Sequence, residues 1–81
     1  MSLKLIIVSP ERVEFNGEVE SVTVPGIMGE FQVLPNHAPL ISSLENGRVV
    51  YKDALGMHGL SIAGGFIEVQ KNTVSVCVEL P

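Results

Sequence analysis

Short runs in which apolar and polar residues alternate fill this chain. Over residues 73–79, Val74, Val76 and Val78 alternate with polar or small residues, which is the two-residue period of a β-strand. Eight Gly and five Pro interrupt the sequence throughout, and the one long interval between them holds that alternating run. An amphipathic helix needs about 10–12 uninterrupted residues. The pattern therefore predicts an all-β protein without helices.

The Gly, Pro and Asn residues divide the chain into nine predicted strands. These are Lys4–Ser9, Arg12–Asn16, Glu18–Val24, Gly29–Leu34, Leu40–Leu44, Arg48–Lys52, Gly59–Ala63, Phe66–Gln70 and Thr73–Glu79. Tight turns are predicted at Asn16–Gly17, Asn46–Gly47 and Lys71–Asn72, because Asn and Gly tolerate positive φ. Short strands at regular spacing are typical of a sandwich or a closed barrel. Residues 1–81 are predicted to form a single domain.

Composition adds an expectation about partners. The chain is 46% hydrophobic and 17% charged, whereas about 25% charged residues is usual, and its mean hydropathy is +0.38. A small domain has proportionally more surface, so this surplus predicts that some apolar surface meets a partner protein. The net charge of −4 argues against a nucleic-acid partner, which requires a basic surface. The sequence contains no basic amphipathic segment of the kind that binds a membrane surface directly.

Few side chains are arranged for chemistry. Cys77 is the single cysteine and lies within a predicted strand, where a buried, inert thiol is expected. His58 lies in a turn-like segment and is expected to be a solvated loop residue. One cysteine and two distant histidines have no metal-ligand spacing. Gly64–Gly65 lacks the following helix of a phosphate loop and indicates a bulge or close strand packing instead. We therefore expect no cofactor, no metal and no small-molecule substrate.

Residues 25–40 form the most distinctive stretch. Bends at Pro25–Gly26, Pro35 and Pro39 flank a short predicted strand and stiffen the chain. Stiff loops lose little entropy on docking, which suits a recognition edge. Apolar residues lie beside these bends, with Glu30 as the only charge among them. A rigid hairpin whose apolar residues belong to the core explains the stretch equally well.

This stretch also carries a resemblance to a known family. Residues 29–40 read GEFQVLPNHAPL, which is similar to the pattern G-E-[LF]-x-[IV]-[LY]-P-x-H-A-P-L of the epsilon subunit of the F-type ATP synthase. Residues 63–69 read AGGFIEV and resemble that family's second block, [SA]-G-G-x-x-E-V. The opening residues 5–10 and 15–19 also fit. The match runs in one order along essentially the whole chain and resembles the N-terminal β-sandwich domain of that subunit.

The resemblance implies a two-sheet sandwich of about ten strands with a mechanical role. It implies a non-catalytic central-stalk subunit that binds the gamma subunit and the c-ring loops and couples ion-driven rotation to ATP synthesis. The implied location is the cytoplasmic face of the bacterial inner membrane, reached only through the complex. By position, Gly29, Glu30 and Phe31 would face the c-ring, and Ser9, His37, Ala38, Pro39 and Leu40 would face gamma.

Two of these residues have physical roles that can be stated in advance. Glu30 would be an anionic rim group that pairs with a basic ring loop and sets register. His37 could contact a partner or hold its own loop by hydrogen-bonding to the backbone, and both alternatives stay open. Gln32 and Asn36 stand where many relatives have Gly, and Asn tolerates positive φ better than most residues.

The chain ends at Pro81, where family members commonly continue into a C-terminal helical hairpin. The resemblance therefore implies either a naturally short subunit or a truncated one. Two unrelated functions stay open as alternatives. One is a peptide-binding adaptor that uses an exposed strand edge. The other, the least favoured, is a small enzyme with His37 and Glu30 as acid and base.

Overall fold

A computed structural model describes residues 2–81 of the chain. These residues form nine strands and no helix, which confirms the all-β prediction. The strands are β1 (Leu3–Val8), β2 (Val13–Val19), β3 (Ser21–Gly26), β4 (Gly29–Val33), β5 (Leu40–Leu44), β6 (Gly47–Asp53), β7 (Gly56–Ile62), β8 (Gly64–Gln70) and β9 (Thr73–Glu79). The structure thus has nine strands where the resemblance implied about ten.

The strands form one hydrogen-bonded sheet that curls into two facing halves. The first half-sheet has the strand order β2-β1-β9-β8-β5, and the second has the order β4-β3-β6-β7. A single register pair, Gly26 with Leu44, joins the two halves. All neighbours are antiparallel except β1 and β9, which run parallel. The result is the expected two-layered sandwich.

The core lies between the half-sheets and is made only of aliphatic side chains. It consists of Leu3, Leu5, Ile7, Val19, Val22, Val24, Val33, Leu44, Val49, Ile62, Ile67, Val69, Val74, Val76 and Val78. No polar or charged residue within 2–81 is buried. Because successive side chains of a strand point to opposite faces, every strand that contributes to this core also presents an outer face.

The turn predicted at Asn16–Gly17 is wrong, because β2 continues through both residues. Asn16 pairs with Ile6, and Gly17 pairs with Leu5. The Phe15 ring lies over Gly17, and a Cβ at that glycine would be 3.0 Å from the ring. The aromatic ring therefore covers the gap that glycine leaves in the strand. The break between strands falls at residue 20 instead.

The other two predicted turns had different outcomes. Lys71 and Asn72 have φ values of 51° and 61° and close the β8–β9 hairpin, as predicted. The chain also bends at Asn46, but β5 pairs with β8 whereas β6 pairs with β3 and β7. This bend therefore moves the chain from one half-sheet to the other and is not a hairpin turn.

Candidate functional site

The outer face of the first half-sheet carries large apolar side chains that are exposed to solvent. Val8, Cys77 and Phe66 lie in one row across three adjacent strands. Phe66 is 50% exposed, and Ile41 on the neighbouring strand is 74% exposed. We call this surface the Phe66 face. Large apolar side chains that point outward from a sheet mark a surface suited to a partner protein.

Two clefts lie on the Phe66 face. One, of about 530 Å³, is lined by Val8, Ser9, Pro10, Gly65, Phe66, Cys77, Val78 and Glu79. The other, of about 420 Å³, is lined by Pro39, Leu40, Ile41, Glu68, Val69 and Gln70. Ser9, Pro39 and Leu40, which the resemblance assigns to the gamma side, line these two clefts although they are far apart in sequence. Leu40 also packs against the core, because it lies in the inward phase of β5.

Ser9 is held in place at the rim of the first cleft. Its hydroxyl donates a hydrogen bond of 2.8 Å to Glu14 Oε2, and Arg12 Nε donates to the same oxygen at 3.2 Å. The Glu14 side chain is only 11% exposed, whereas that of Arg12 is 73% exposed. A partner docking at Ser9 would thus meet a pre-formed rim with a charged outer side.

The loop before β5 is held by its own hydrogen bonds. His37 Nδ1 lies 2.7 Å from the carbonyl oxygen of Ala38, and the backbone N–H of His37 donates to Leu34 at 3.2 Å. Asn36 has a φ of 68°, as expected for Asn where relatives have Gly. Its backbone N–H donates to Asn72 Oδ1 at 2.6 Å. The loop-holding role of His37 is present, while Ala38 and Pro39 remain exposed.

The β3–β4 hairpin tip is the second accessible element. Met28 is 96% exposed and Ile27 is 59% exposed. Gly29 follows with a φ of 127°, a conformation that L side chains rarely adopt. Glu30 is exposed, and no residue within 2–81 forms an ion pair with it. Its carboxylate is therefore available to a partner.

Phe31 differs from its two neighbours because its ring turns toward the core. A Cβ at Gly26 would be 2.8 Å from this ring, so Gly26 makes room for Phe31 across the hairpin. Of the three residues assigned to the c-ring side, Gly29 shapes the tip, Glu30 is presented to solvent and Phe31 anchors the hairpin.

Glu30 and His37 are not brought together. Glu30 lies near the start of β4, and His37 lies beyond its end, so the strand separates the proposed acid and base. In the part of the chain that the structure describes, no three His, Cys, Asp or Glu residues are grouped to hold a metal ion. Residues 2–81 also include no helix long and apolar enough to span a membrane.

His58 is not the solvated loop residue that the sequence predicted. It lies in β7, with Nε2 2.8 Å from Asp53 Oδ1 and its ring stacked on Tyr51 at 5.3 Å. This hydrogen bond is the main reason that the pKa of Asp53 lies below its ordinary value. Burial and then the Asp53 charge raise the pKa of Tyr51. The group links β6 to β7.

Cys77 also differs from its prediction. It lies on the outer face of β9, is partly exposed, and lines the larger cleft beside Phe66. The prediction of a buried thiol was wrong because the alternation places Val76 and Val78 inside, which leaves the residue between them outside.

Sequence reasoning did not assign a site role to the residues at the centre of the Phe66 face: Phe66, Ile41 and Glu68. For Glu68 the sequence left open a surface position or a buried, hydrogen-bonded one, and the structure shows it exposed. A signal for Phe66 was present, since it is an aromatic residue in the polar phase of an alternating strand. Ile67 and Val69, in the other phase of β8, are buried. An apolar residue out of phase with the core is exposed, and it indicates a docking surface only where it joins other exposed apolar residues, as Phe66 does with Ile41.

The sequence is similar to those of known proteins. The sequence profile of the family described as "ATP synthase, Delta/Epsilon chain, beta-sandwich domain" matches residues 2–80. The ATP synthase epsilon chain of Leptospira borgpetersenii is 43% identical over 77 residues, which cover 95% of this chain and 61% of that protein. The epsilon chain of Nitratidesulfovibrio vulgaris strain Miyazaki F is 44% identical over 78 residues, which cover 96% of this chain and 58% of that protein.

Solved structures share the fold. A chain of the mitochondrial ATP synthase of Euglena gracilis (OSCP/F1/c-ring) superposes with a TM-score of 0.88 at 21% identity, covering 95% of this chain and 50% of that one. A chain of the Tetrahymena thermophila mitochondrial ATP synthase (central stalk/c-ring) gives 0.82 at 13% identity, covering 98% of this chain and 64% of that one. This chain spans about three fifths of the curated relatives' length. With its profile match over residues 2–80, it belongs to the family of ATP synthase delta/epsilon chain β-sandwich domains.

Proposed function

We propose that this chain acts as a non-catalytic central-stalk component of an F-type ATP synthase. In this role the Phe66 face binds the gamma subunit, and the β3–β4 tip with Glu30 meets the polar loops of the c-ring. The domain thereby helps to couple ion-driven rotation to ATP synthesis. Its location is the cytoplasmic face of a bacterial inner membrane, reached through the complex, since the curated relatives described above are bacterial.

One observation carries this proposal: three of the residues assigned to gamma line two clefts beside the exposed apolar side chains of one half-sheet. Ser9 contributes to one cleft and Pro39 with Leu40 to the other. Exposed Phe66 and Ile41 lie on the same face. Burying such apolar side chains contributes about 25 cal/mol per Å² of area removed from water. A partner that covers both clefts therefore gains the hydrophobic contact that an isolated domain leaves unsatisfied.

The single cysteine provides a direct test. Cys77 is partly exposed and lines the larger cleft, so it should react with a maleimide in the isolated chain. We expect purified gamma subunit to form a co-migrating complex and to slow this labelling at least about tenfold, because docking removes the thiol from solvent. Labelling rates followed by mass spectrometry with and without gamma measure the effect.

A matched control places the reactive thiol away from the larger cleft. In a Cys77→Ser chain carrying Glu45→Cys, the new thiol lies in the exposed connection after β5, and gamma should leave its labelling rate unchanged. A complex that leaves Cys77 fully reactive would show that gamma binds elsewhere on the chain. Capture of short peptides in place of gamma would support the adaptor alternative.

Glu30→Lys tests the hairpin tip. Glu30 is exposed and unpaired within residues 2–81, so the free energy of unfolding should change by less than about 0.5 kcal/mol. Binding to a detergent-purified c-ring should weaken about tenfold, since a repulsive charge replaces an attractive one. Gln32→Lys, which alters the next outward-facing position of β4, is the control and should have a smaller effect. A stability loss above about 1 kcal/mol for Glu30→Lys would show that Glu30 is structural.

A further inference from the structure

Glu68 lies in the middle of the Phe66 face. Its neighbours in the row across the strands are Ser75 on β9 and Ile41 on β5, and Phe66 precedes it on the same side of β8. Glu68 lines the cleft that holds Pro39 and Leu40 and also a smaller polar cleft of about 260 Å³. The carboxylate is therefore surrounded by the surface proposed to dock.

Glu68 has no charge partner in the part of the domain that the structure describes. It is exposed, and within residues 2–81 it forms neither an ion pair nor a side-chain hydrogen bond. Lys71 lines the same small polar cleft but makes no ion pair with it. The carboxylate therefore lies open to solvent in the isolated domain.

Docking would change that solvation. A partner that covers Phe66 and Ile41 also removes water from Glu68, which lies between them. An ionised carboxylate taken out of water without a partner is strongly unfavourable. The covering surface must therefore bring its own cation or strong donors.

We propose that the partner surface presents a lysine or arginine opposite Glu68, flanked by apolar side chains that enter the two clefts. This inference rests on the proposed function and names the chemistry of the gamma segment that binds there. The apolar clefts supply contact area, and the Glu68 pair selects the register in which the two proteins dock.

Three variants test this pairing against purified gamma subunit. Glu68→Lys should weaken binding about 30-fold or more, because two cations then meet in a desolvated contact. Glu68→Gln should weaken it less, and its affinity should depend less on salt concentration than that of the unaltered chain. Glu45→Lys makes the same charge change outside the face and should bind normally. Isothermal titration calorimetry at two salt concentrations gives these values, and urea unfolding confirms that each variant is folded.

The outcomes separate this inference from the proposed function. If the unaltered chain fails to bind gamma, both are overturned. If it binds and Phe66→Ser abolishes binding, while Glu68→Lys and Glu68→Gln bind like the unaltered chain, the charge pairing alone is overturned. Loss of binding in Glu68→Lys with Glu45→Lys unaffected supports the pairing.

Discussion

Gly65→Ala should destabilise the domain by about 3 kcal/mol or more, which is a large part of the stability of a small domain. Gly65 has a φ of 153°, and a Cβ built there would be 2.1 Å from the carbonyl oxygen of Cys77. Since that oxygen belongs to the backbone of β9, relief requires the two strands to move apart. A urea unfolding curve measures the loss.

Gly59→Ala is the matched control for this variant. A Cβ at Gly59 would be 2.0 Å from Arg48 Nη2, which is nominally as severe an overlap. The obstacle there is the end of a flexible, exposed side chain that can rotate away, so the change should stay within about 0.5 kcal/mol. Equal losses for the two variants would show that the β8–β9 contact is not as close as described.

Substitutions at two isoleucines should separate effects on the stability of the fold from effects on binding at the Phe66 face. Ile67 is fully buried between the half-sheets, whereas Ile41 is 74% exposed on the Phe66 face. Ile67→Ala should cost about 2–5 kcal/mol, because it removes buried methyl groups and leaves a cavity. Ile41→Ala should cost less than about 0.5 kcal/mol yet weaken binding to gamma.

Two measurements on each variant check this contrast. Urea unfolding gives the stability, and titration with gamma below the unfolding transition gives the affinity. Ile67→Ala should bind gamma with nearly unchanged affinity while it remains folded. A stability loss for Ile41→Ala as large as that for Ile67→Ala would show that the Phe66 face belongs to the core and is not a free surface.

Strands whose burial alternates regularly were predicted well from sequence. The predicted bounds of β5 (Leu40–Leu44) and β9 (Thr73–Glu79) agree with the structure. In β9 one phase is valine and the other is polar or small, so only one register buries the valines. In β9 local sequence was sufficient because a single face carries all the valines.

The turn at Asn16–Gly17 could not be judged locally. The dipeptide is a strong hairpin signal, but the Phe15 ring covers Gly17 and also lies 4.4 Å from the Tyr51 ring, measured between centroids. Tyr51 belongs to the other half-sheet. A tertiary contact between distant parts of the chain therefore kept this segment extended.

Part of the candidate site could be named from the resemblance, but the surface to which those residues belong could not. Ser9, Pro39 and Leu40 could be named from the resemblance, yet only the β1-β9-β8-β5 order brings the two clefts that they line onto one half-sheet. Phe31 was also named from the resemblance, as a c-ring contact, but its ring points toward the core although the neighbouring Glu30 is exposed. Strand order and the direction of each side chain depend on long-range pairing, which a local pattern does not contain.

The parallel pairing of β1 with β9 has a consequence for how the chain folds. Lys4 pairs with Thr73, and Val8 pairs with Cys77. The pairing of the first strand with the last one therefore cannot form until the end of the chain is available. Contacts this distant in sequence slow folding, because the entropy of the intervening loop is lost before the strand pairing can stabilise the structure. β9 also separates β1 from β8. A nascent chain that has not yet reached residue 73 therefore carries two open strand edges at the centre of its half-sheet, the state in which it is most exposed to aggregation.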